Sequence, residues 1–429
     1  MACEQPKILI FTVASWNSKV GANTWETLVN RYDSAQLANI YLRDEIPDSQ
    51  VCSQYFCISE NRILKSIFKR SIKTGQVVAA QPLSQETDNP DLLSHNQRYE
   101  KMTKKRRYSM LLARELCWKI GKWKTKELND FLDAFQPDVI LYSMEGYIHL
   151  NRLVRYALKR TGARGIGYIW DDTFTYKQSK EFGYKVYRYF QRKSLKKLAK
   201  KTQEFFAITP KTKEEADAFF GTQCTVLSKP LHTMPVAATY ENVCQPLRML
   251  YPGNLLIGRE KSLRKLSAAL STINADGQKI VLDVYTQTQL SAECLQTIET
   301  DCCRIHAPIP QSEVLQKQME ADVLLFLEDL SDANLKARLS FSTKITDYFS
   351  AGKCIFAIGN PDLAPMQYFK ETQSAIVVEQ EGTLLPALQT LSQPETLASC
   401  AQNAVECGVK NHGADVIFQT FDGVLHRVV

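Results

Sequence analysis

Short apolar runs alternate with stretches of helical periodicity along nearly the whole chain. In the first half the runs Lys7–Thr12, Leu37–Leu42, Asp138–Ser143, Arg164–Trp170, Glu204–Thr209 and Thr225–Ser228 predict strands. Helices are predicted between them over Asn23–Arg31, Arg107–Phe135, Leu150–Lys159, Phe182–Lys200 and Lys211–Phe220. The stretch from Cys52 to about Met102 follows neither period and reads as a mobile, partly basic excursion. The alternation stops at Lys229-Pro-Leu-His-Thr-Met-Pro235 and stays polar to Pro246, which marks a domain boundary. It then restarts with strands Leu247–Tyr251, Lys279–Tyr285, Arg304–His306, Asp322–Leu327, Cys354–Ile358 and Ala375–Val378. Helices accompany them over Glu260–Thr272, Gln311–Glu320, Ser342–Ala351, Thr383–Leu391, Glu395–Glu406 and Ala414–His426. Strands interleaved with helices predict an α/β fold with parallel sheets. The 429 residues suffice for two domains, expected at 1–232 and 246–405, with 406–429 as a closing helix that packs back on the first.

Charge separates the same two halves. Residues 1–230 carry 38 Lys and Arg against 24 Asp and Glu, whereas 231–429 carry 15 against 22. Residues 151–200 alone hold 14 basic and 3 acidic side chains, which calls for an anionic partner or a solvated basic face. The 12 cysteines are scattered and include no Cys-x-x-Cys and no Cys/His ligand set, so a reducing compartment without structural zinc is expected. The strand at Lys7 follows the amino terminus without a long apolar leader, and no run of 18 apolar residues occurs, so a cytoplasmic chain without a membrane span is expected.

Two segments of the second half carry the clearest chemistry. Leu250-Tyr-Pro-Gly-Asn-Leu-Leu-Ile-Gly-Arg-Glu-Lys261 runs from a strand through a Pro-Gly turn, placing Gly253, Asn254, Arg259 and Lys261 where a diphosphate can be gripped and stabilised as it departs. Phe341-Ser-Thr-Lys-Ile-Thr-Asp347 sets Ser342, Thr343 and Lys344 at a helix amino terminus, suited to phosphate oxygens, with Asp347 one turn on to accept ribose hydroxyls. Solvated charge and ordinary capping are the competing readings of the same residues.

In the first half, Gly21 and Asn23 open a helix after the first strand, although the Gly-x-Gly-x-x-Gly of a dinucleotide site is missing. Asp171 and Asp172 end the apolar strand Tyr168-Ile-Trp170, and Glu145 ends its neighbour. Unpaired carboxylates are costly to bury, so these three are candidates for contacting an acceptor hydroxyl, with a loop-capping pair as the alternative for the two aspartates. His149 reads as a packed or exposed histidine, not a base. The segment Tyr184–Lys201 places Tyr187, Phe190, Leu195 and Leu198 near one helical stripe amid dense Lys and Arg, fitting either a packed helix with a basic outer face or an interfacial one.

Gly253, Arg259 and Lys261 after a strand, with Ser342-Thr-Lys-x-x-Asp-Tyr-x-x-x-Gly before Lys353-Cys-Ile-Phe-Ala357, resemble the nucleotide-binding half of GT-B glycosyltransferases. The pattern is most similar to their large retaining family four, of bacterial polysaccharide and lipid glycosylation. The resemblance implies two facing Rossmann-like domains with an interdomain cleft, and a carboxylate at Asp347 that binds the ribose. Asp347 stands where the family has Glu, Phe341 where Pro is common, and Cys354 in place of Pro after Gly-Lys. The family's upstream acid falls at Ser340 here, and Glu328 and Asp329 lie further back.

The resulting expectation is a glycosyltransferase moving a sugar from a UDP- or GDP-sugar to a glycan or polyprenyl-diphosphate-linked acceptor in surface polysaccharide or capsule assembly. It needs no cofactor beyond the nucleotide-sugar co-substrate and no metal, since no Asp-x-Asp motif stands at a strand end. The basic first domain suits the anionic inner face of a membrane, and no nucleic-acid motif is present. A nucleotide-sugar epimerase of the same fold and a non-catalytic, basic membrane-binding protein are the alternatives.

Overall fold

A computed structural model describes residues 5–17, 24–81, 108–241 and 245–429. The chain forms two compact units: one of residues up to Ile208, Thr212–Leu227 and Thr420–Val429, the other of Thr209–Lys211 and Ser228–Gln419.

The first unit is built on an eight-stranded sheet in the order β4-β3-β2-β1-β5-β6-β7-β8. Its strands are β1 (Ile8–Phe11), β2 (Leu37–Tyr41), β3 (Gln54–Ile58), β4 (Gly75–Val78), β5 (Val139–Ser143), β6 (Arg164–Ile169), β7 (Glu204–Ala207) and β8 (Thr225–Val226). All pair in parallel except β4, which runs antiparallel to β3. Ile8, Leu9, Ile10 and Phe11 of β1 are all buried, as expected of a central parallel strand covered on both faces. Helices are α1 (Thr24–Val29), α2 (Glu60–Phe68), α3 (Tyr108–Ile120), α4 (Lys126–Phe135), α5 (Ile148–Thr161), α6 (Phe182–Ala199) and α7 (Pro210–Phe220).

Three expectations change here. Residues 54–78 fold as β3, α2 and β4 instead of a mobile excursion; Tyr55, Phe56, Cys57 and Ile58 are buried, and Ser59 caps α2 by accepting from the Arg62 amide at 3.1 Å. The remainder of that stretch, 82–107, lies outside the described residues. The single long helix over Arg107–Phe135 is two, α3 and α4. The first ends at Ile120, Gly121 passes so close to α2 that a Cβ there would lie 3.1 Å from the Ile63 carbonyl oxygen, and Thr125 starts α4 by accepting from the Leu128 amide at 3.2 Å. On α6, Tyr187, Leu195 and Leu198 are buried while Phe190 faces out.

The second unit has six parallel strands in the order β11-β10-β9-β12-β13-β14. They are β9 (Leu247–Pro252), β10 (Ile280–Tyr285), β11 (Cys303–His306), β12 (Val323–Leu327), β13 (Cys354–Ile358) and β14 (Ile376–Val378). The helices are α8 (Arg259–Ile273), α9 (Ala292–Ile298), α10 (Val314–Glu320), α11 (Lys344–Ala351), α12 (Ala364–Thr372), α13 (Leu384–Thr390), α14 (Pro394–His412) and α15 (Ala414–Val428). The last residues of α15 belong to the first unit, where Phe421 stacks on Phe206 at 5.9 Å and Asp422 accepts from the Tyr32 hydroxyl at 2.5 Å. Among the described residues no helix is long and apolar enough to cross a membrane.

Each sheet has one place where strand order reverses. In the first it lies between β1 and β5, in the second between β9 and β12. Loops at the carboxyl ends of such strand pairs diverge to opposite faces and leave a crevice, which is where open α/β sheets bind ligands.

Candidate functional site

The reversal in the second unit is flanked by the loop after β9 and by Glu328, directly after β12. Arg259, the first residue of α8, reaches across: its Nη2 donates to Glu328 Oε1 at 2.6 Å and its Nε to Oε2 at 3.1 Å. Its Nη1 donates to Asn254 Oδ1 at 2.6 Å. This two-pronged pair is largely buried, and the fork geometry fixes the guanidinium plane. Glu328, set aside in the sequence because it lies nineteen residues before Asp347, is thus joined to the site. The available signal was its position just beyond the all-apolar Val323–Leu327, on the strand beside β9.

Lys344 opens α11 and lays its ammonium 4.5 Å from the centre of the Tyr251 ring. Gly253 makes this possible, because a Cβ there would stand 2.9 Å from Lys344 Cε and still closer to Nζ. Burial, aided by the neighbouring Arg259 charge and opposed by Glu328 and Asp347, pushes the Lys344 ammonium down to about 8. The β9–α8 loop is held by the Leu255 amide donating to Thr288 Oγ1 at 2.9 Å and the Tyr251 hydroxyl donating to the Asn254 carbonyl at 2.7 Å. Ile257 in that loop has φ 60°, a region costing a β-branched residue roughly 1–2 kcal/mol, and such outliers collect where a loop meets a ligand.

We expect Gly253→Ala to displace Lys344 from the Tyr251 ring. A flexible lysine end yields cheaply, so the melting temperature should hardly move. Loss of one charge-assisted contact should weaken nucleotide-sugar binding about tenfold or more. Calorimetric titration beside a thermal melt separates the two effects.

The other predicted residues are distributed unevenly. Helix α11 begins at Lys344, two residues later than expected, with Thr343 as its exposed N-cap and Ser342 Oγ accepting the Lys344 amide at 3.4 Å. Thr343 makes no side-chain cap, but besides the Lys344 amide the Ile345 amide is also engaged, donating to the Ser342 carbonyl at 3.1 Å, so the expected anion site at the first-turn amides is partly occupied by the chain itself. Asp347 lies 3.0 Å from His232 Nε2 and 3.7 Å from Lys229 Nζ, two residues that entered the sequence analysis only as part of the domain boundary. Lys261 departs from expectation. Two residues beyond Arg259 it is carried roughly 200° round the helix and stands exposed, so it does not join Arg259 and Lys344.

In the first unit Glu145 follows β5 at the reversal, and Asp171 follows β6. Burial, reinforced by the Asp171 charge and opposed by Arg43, pushes the Glu145 carboxyl up to about 7. Asp172 is buried and holds its own loop, accepting from the Thr175 amide at 2.9 Å and from the Thr175 hydroxyl. His149 is packed: Nδ1 meets Glu115 at 2.8 Å and the ring stacks on Trp118 at 4.5 Å. Gly21 and Asn23 lie outside the described residues.

No protein-family model matches the chain, and no curated protein matches it in sequence. Solved structures do match over nearly its whole length. A glycosyltransferase from Rickettsia africae is 10% identical, with 98% of each chain covered and a TM-score of 0.57. The α,α-trehalose 6-phosphate synthase from Burkholderia multivorans is 9% identical, with 99% of each covered and a TM-score of 0.60. HepE from Anabaena, solved in complex with UDP-glucose, is 9% identical, with 99% of this chain and 100% of that chain covered and a TM-score of 0.59. The chain has the GT-B fold of these glycosyltransferases.

Proposed function

We propose that the protein is a glycosyltransferase of the GT-B type that takes a sugar from a UDP- or GDP-sugar held by the second unit. The observation that carries the reading is Arg259, fixed by Glu328 and Asn254 at the strand reversal, in the same cluster as the Lys344 ammonium. Two cations there suit the two phosphoryl groups of a nucleoside diphosphate. Their attraction grows as the bond from the anomeric carbon to the diphosphate breaks and charge collects on the leaving oxygen. Asp347 is assigned to the ribose hydroxyls, with His232 and Lys229 orienting it.

The first unit is assigned the acceptor, a glycan or polyprenyl-diphosphate-linked glycan of surface polysaccharide assembly at the inner membrane face. Its acceptor hydroxyl bonds to the anomeric carbon and gives up its proton, and we assign Glu145, whose carboxyl is pushed up to about 7, to receive it. No cofactor beyond the donor is required on this reading.

The test is a calorimetric titration with UDP- and GDP-sugars, followed by mass spectrometry of products formed on lipid-linked glycans of the source cell. Binding of one nucleotide class and a product heavier by one sugar are expected. Glu145→Gln should lower turnover about a hundredfold or more with donor affinity kept. If neither nucleotide class binds, the proposal is wrong.

A further inference from the structure

The outer faces of α2 and α3 carry an apolar band that nothing in the proposed chemistry uses. On α2, Leu64 and Phe68 are one helical turn apart and both exposed, Phe68 to 93%. On α3, Met110, Leu116 and Ile120 are exposed as well, with Leu116 at 55%. The helices pack side by side: Arg114 makes a two-pronged pair with Glu60, and Arg70 at the end of α2 donates to the Ile120 carbonyl at 3.2 Å. That last contact brings the carboxyl ends together, so Phe68 and Ile120 stand at the same end. The inner faces are committed to the fold through Ile63, Ser66, Glu115 and Trp118.

The exposed charge on the two helices and the turns that follow them is basic. Lys65, Lys69, Arg70 and Lys119 are exposed beside it. The acids among residues 60–81 and 108–125 are Glu60, which is tied to Arg114, and Glu115, which is buried against His149. Large apolar side chains ringed by lysine and arginine match the boundary layer of an anionic bilayer, where rings and aliphatic chains enter the headgroup region and cations meet the lipid phosphates. A protein partner with exposed carboxylates would match the charge too, but a Phe exposed to 93% at a helix end suits insertion better than docking.

We infer that the α2–α3 face is a membrane-docking surface for anionic lipid. The inference gives the lipid-linked acceptor of the proposed function a physical approach route, and to that extent rests on that reading, but its test is independent of donor chemistry.

The full chain is sedimented with vesicles of phosphatidylcholine, alone or mixed with phosphatidylglycerol. Binding should require the anionic lipid and weaken with salt. Phe68→Ser with Leu116→Ser should weaken it about tenfold or more, and Lys65→Gln with Lys69→Gln about fivefold for each lysine. All four sites are exposed, and parallel titration with the UDP- or GDP-sugar shows that each variant is folded. The inference is overturned if the wild type stays in the supernatant with mixed vesicles, or if the variants sediment as well as the wild type. It is also overturned if light scattering shows self-association that Phe68→Ser with Leu116→Ser abolishes, since a second copy would then cover the face. Vesicle binding without binding of either donor class would leave this surface standing and remove the transferase reading instead.

Discussion

Replacing Arg259 by Ala should both destabilise the protein and abolish useful donor binding, and a second substitution should separate the two effects. Arg259 and Glu328 are paired at 2.6 and 3.1 Å with little exposure. Removing the guanidinium leaves a buried carboxylate without its cation, which costs about 3–5 kcal/mol. Donor affinity should fall about ten- to a hundredfold, the worth of charge-assisted contacts to a diphosphate. In Arg259→Leu with Glu328→Leu both charges are gone. Such replacements of a buried pair are close to neutral, so stability should largely return while donor binding does not. Denaturant unfolding and calorimetry on the wild type, Arg259→Ala and the double variant provide the check. If Arg259→Ala binds the UDP- or GDP-sugar within about twofold of the wild type, Arg259 is structural only.

The fold was legible where the pattern had length. Alternating strand and helix signals located both sheets because a central parallel strand such as Ile8–Phe11 is a continuous apolar run between polar turns. Strand Gln54–Ile58 buries Tyr55 to Ile58 but opens on an exposed Gln54 and is set among serines, and Gly75–Val78 pairs on one side only and shows Gln76 and Val77 to solvent. Neither has the period-two alternation that distinguishes a strand from a buried helix segment. The break at Gly121 was lost for a related reason: apolar residues continue through Trp118, Ile120 and Trp123, so periodicity alone joins α3 to α4.

Legibility of the site followed distance along the chain. Gly253, Asn254 and Arg259 sit within one loop and one helix start, so a single strand–turn–helix reading captured them. Glu328 enters only because β12 pairs with β9, and His232 only because the crossing between units returns near α11; neither relation has a local sequence signature. Lys261 shows the opposite failure. It is close in sequence to Arg259, but helical geometry turns it to another face. The departure at Phe341 also has a physical reason: its ring stacks on His412 at 5.8 Å and meets Tyr368 edge-on at 5.2 Å, so packing anchors the loop before Ser342.

Donor affinity should fall as pH rises through about 8, and Lys344 should be the cause. Burial and Arg259 hold its ammonium at about 8 against an ordinary 10.5, so the fold disfavours the charged form. For stability the sign is therefore the reverse of a paired lysine: the penalty is fully present below pH 8 and is relieved between about 8 and 10.5, where the unfolded chain binds more protons. A diphosphate changes the balance, because its oxygens stabilise the ammonium and raise its pKa in the complex. Above pH 8 binding must then take up a proton, and affinity drops about tenfold per pH unit until the pKa of the complex is reached. Below pH 7 it should be flat with respect to this group. Lys344→Met removes the titrating site and should bind more weakly at pH 7 with a flattened profile. Ionisation of the nucleobase itself is common to both proteins and cancels in the comparison. Titrations in buffers of different ionisation enthalpy count the proton directly. Equal proton uptake by the wild type and Lys344→Met would show that the lysine over Tyr251 is not the group that meets the diphosphate.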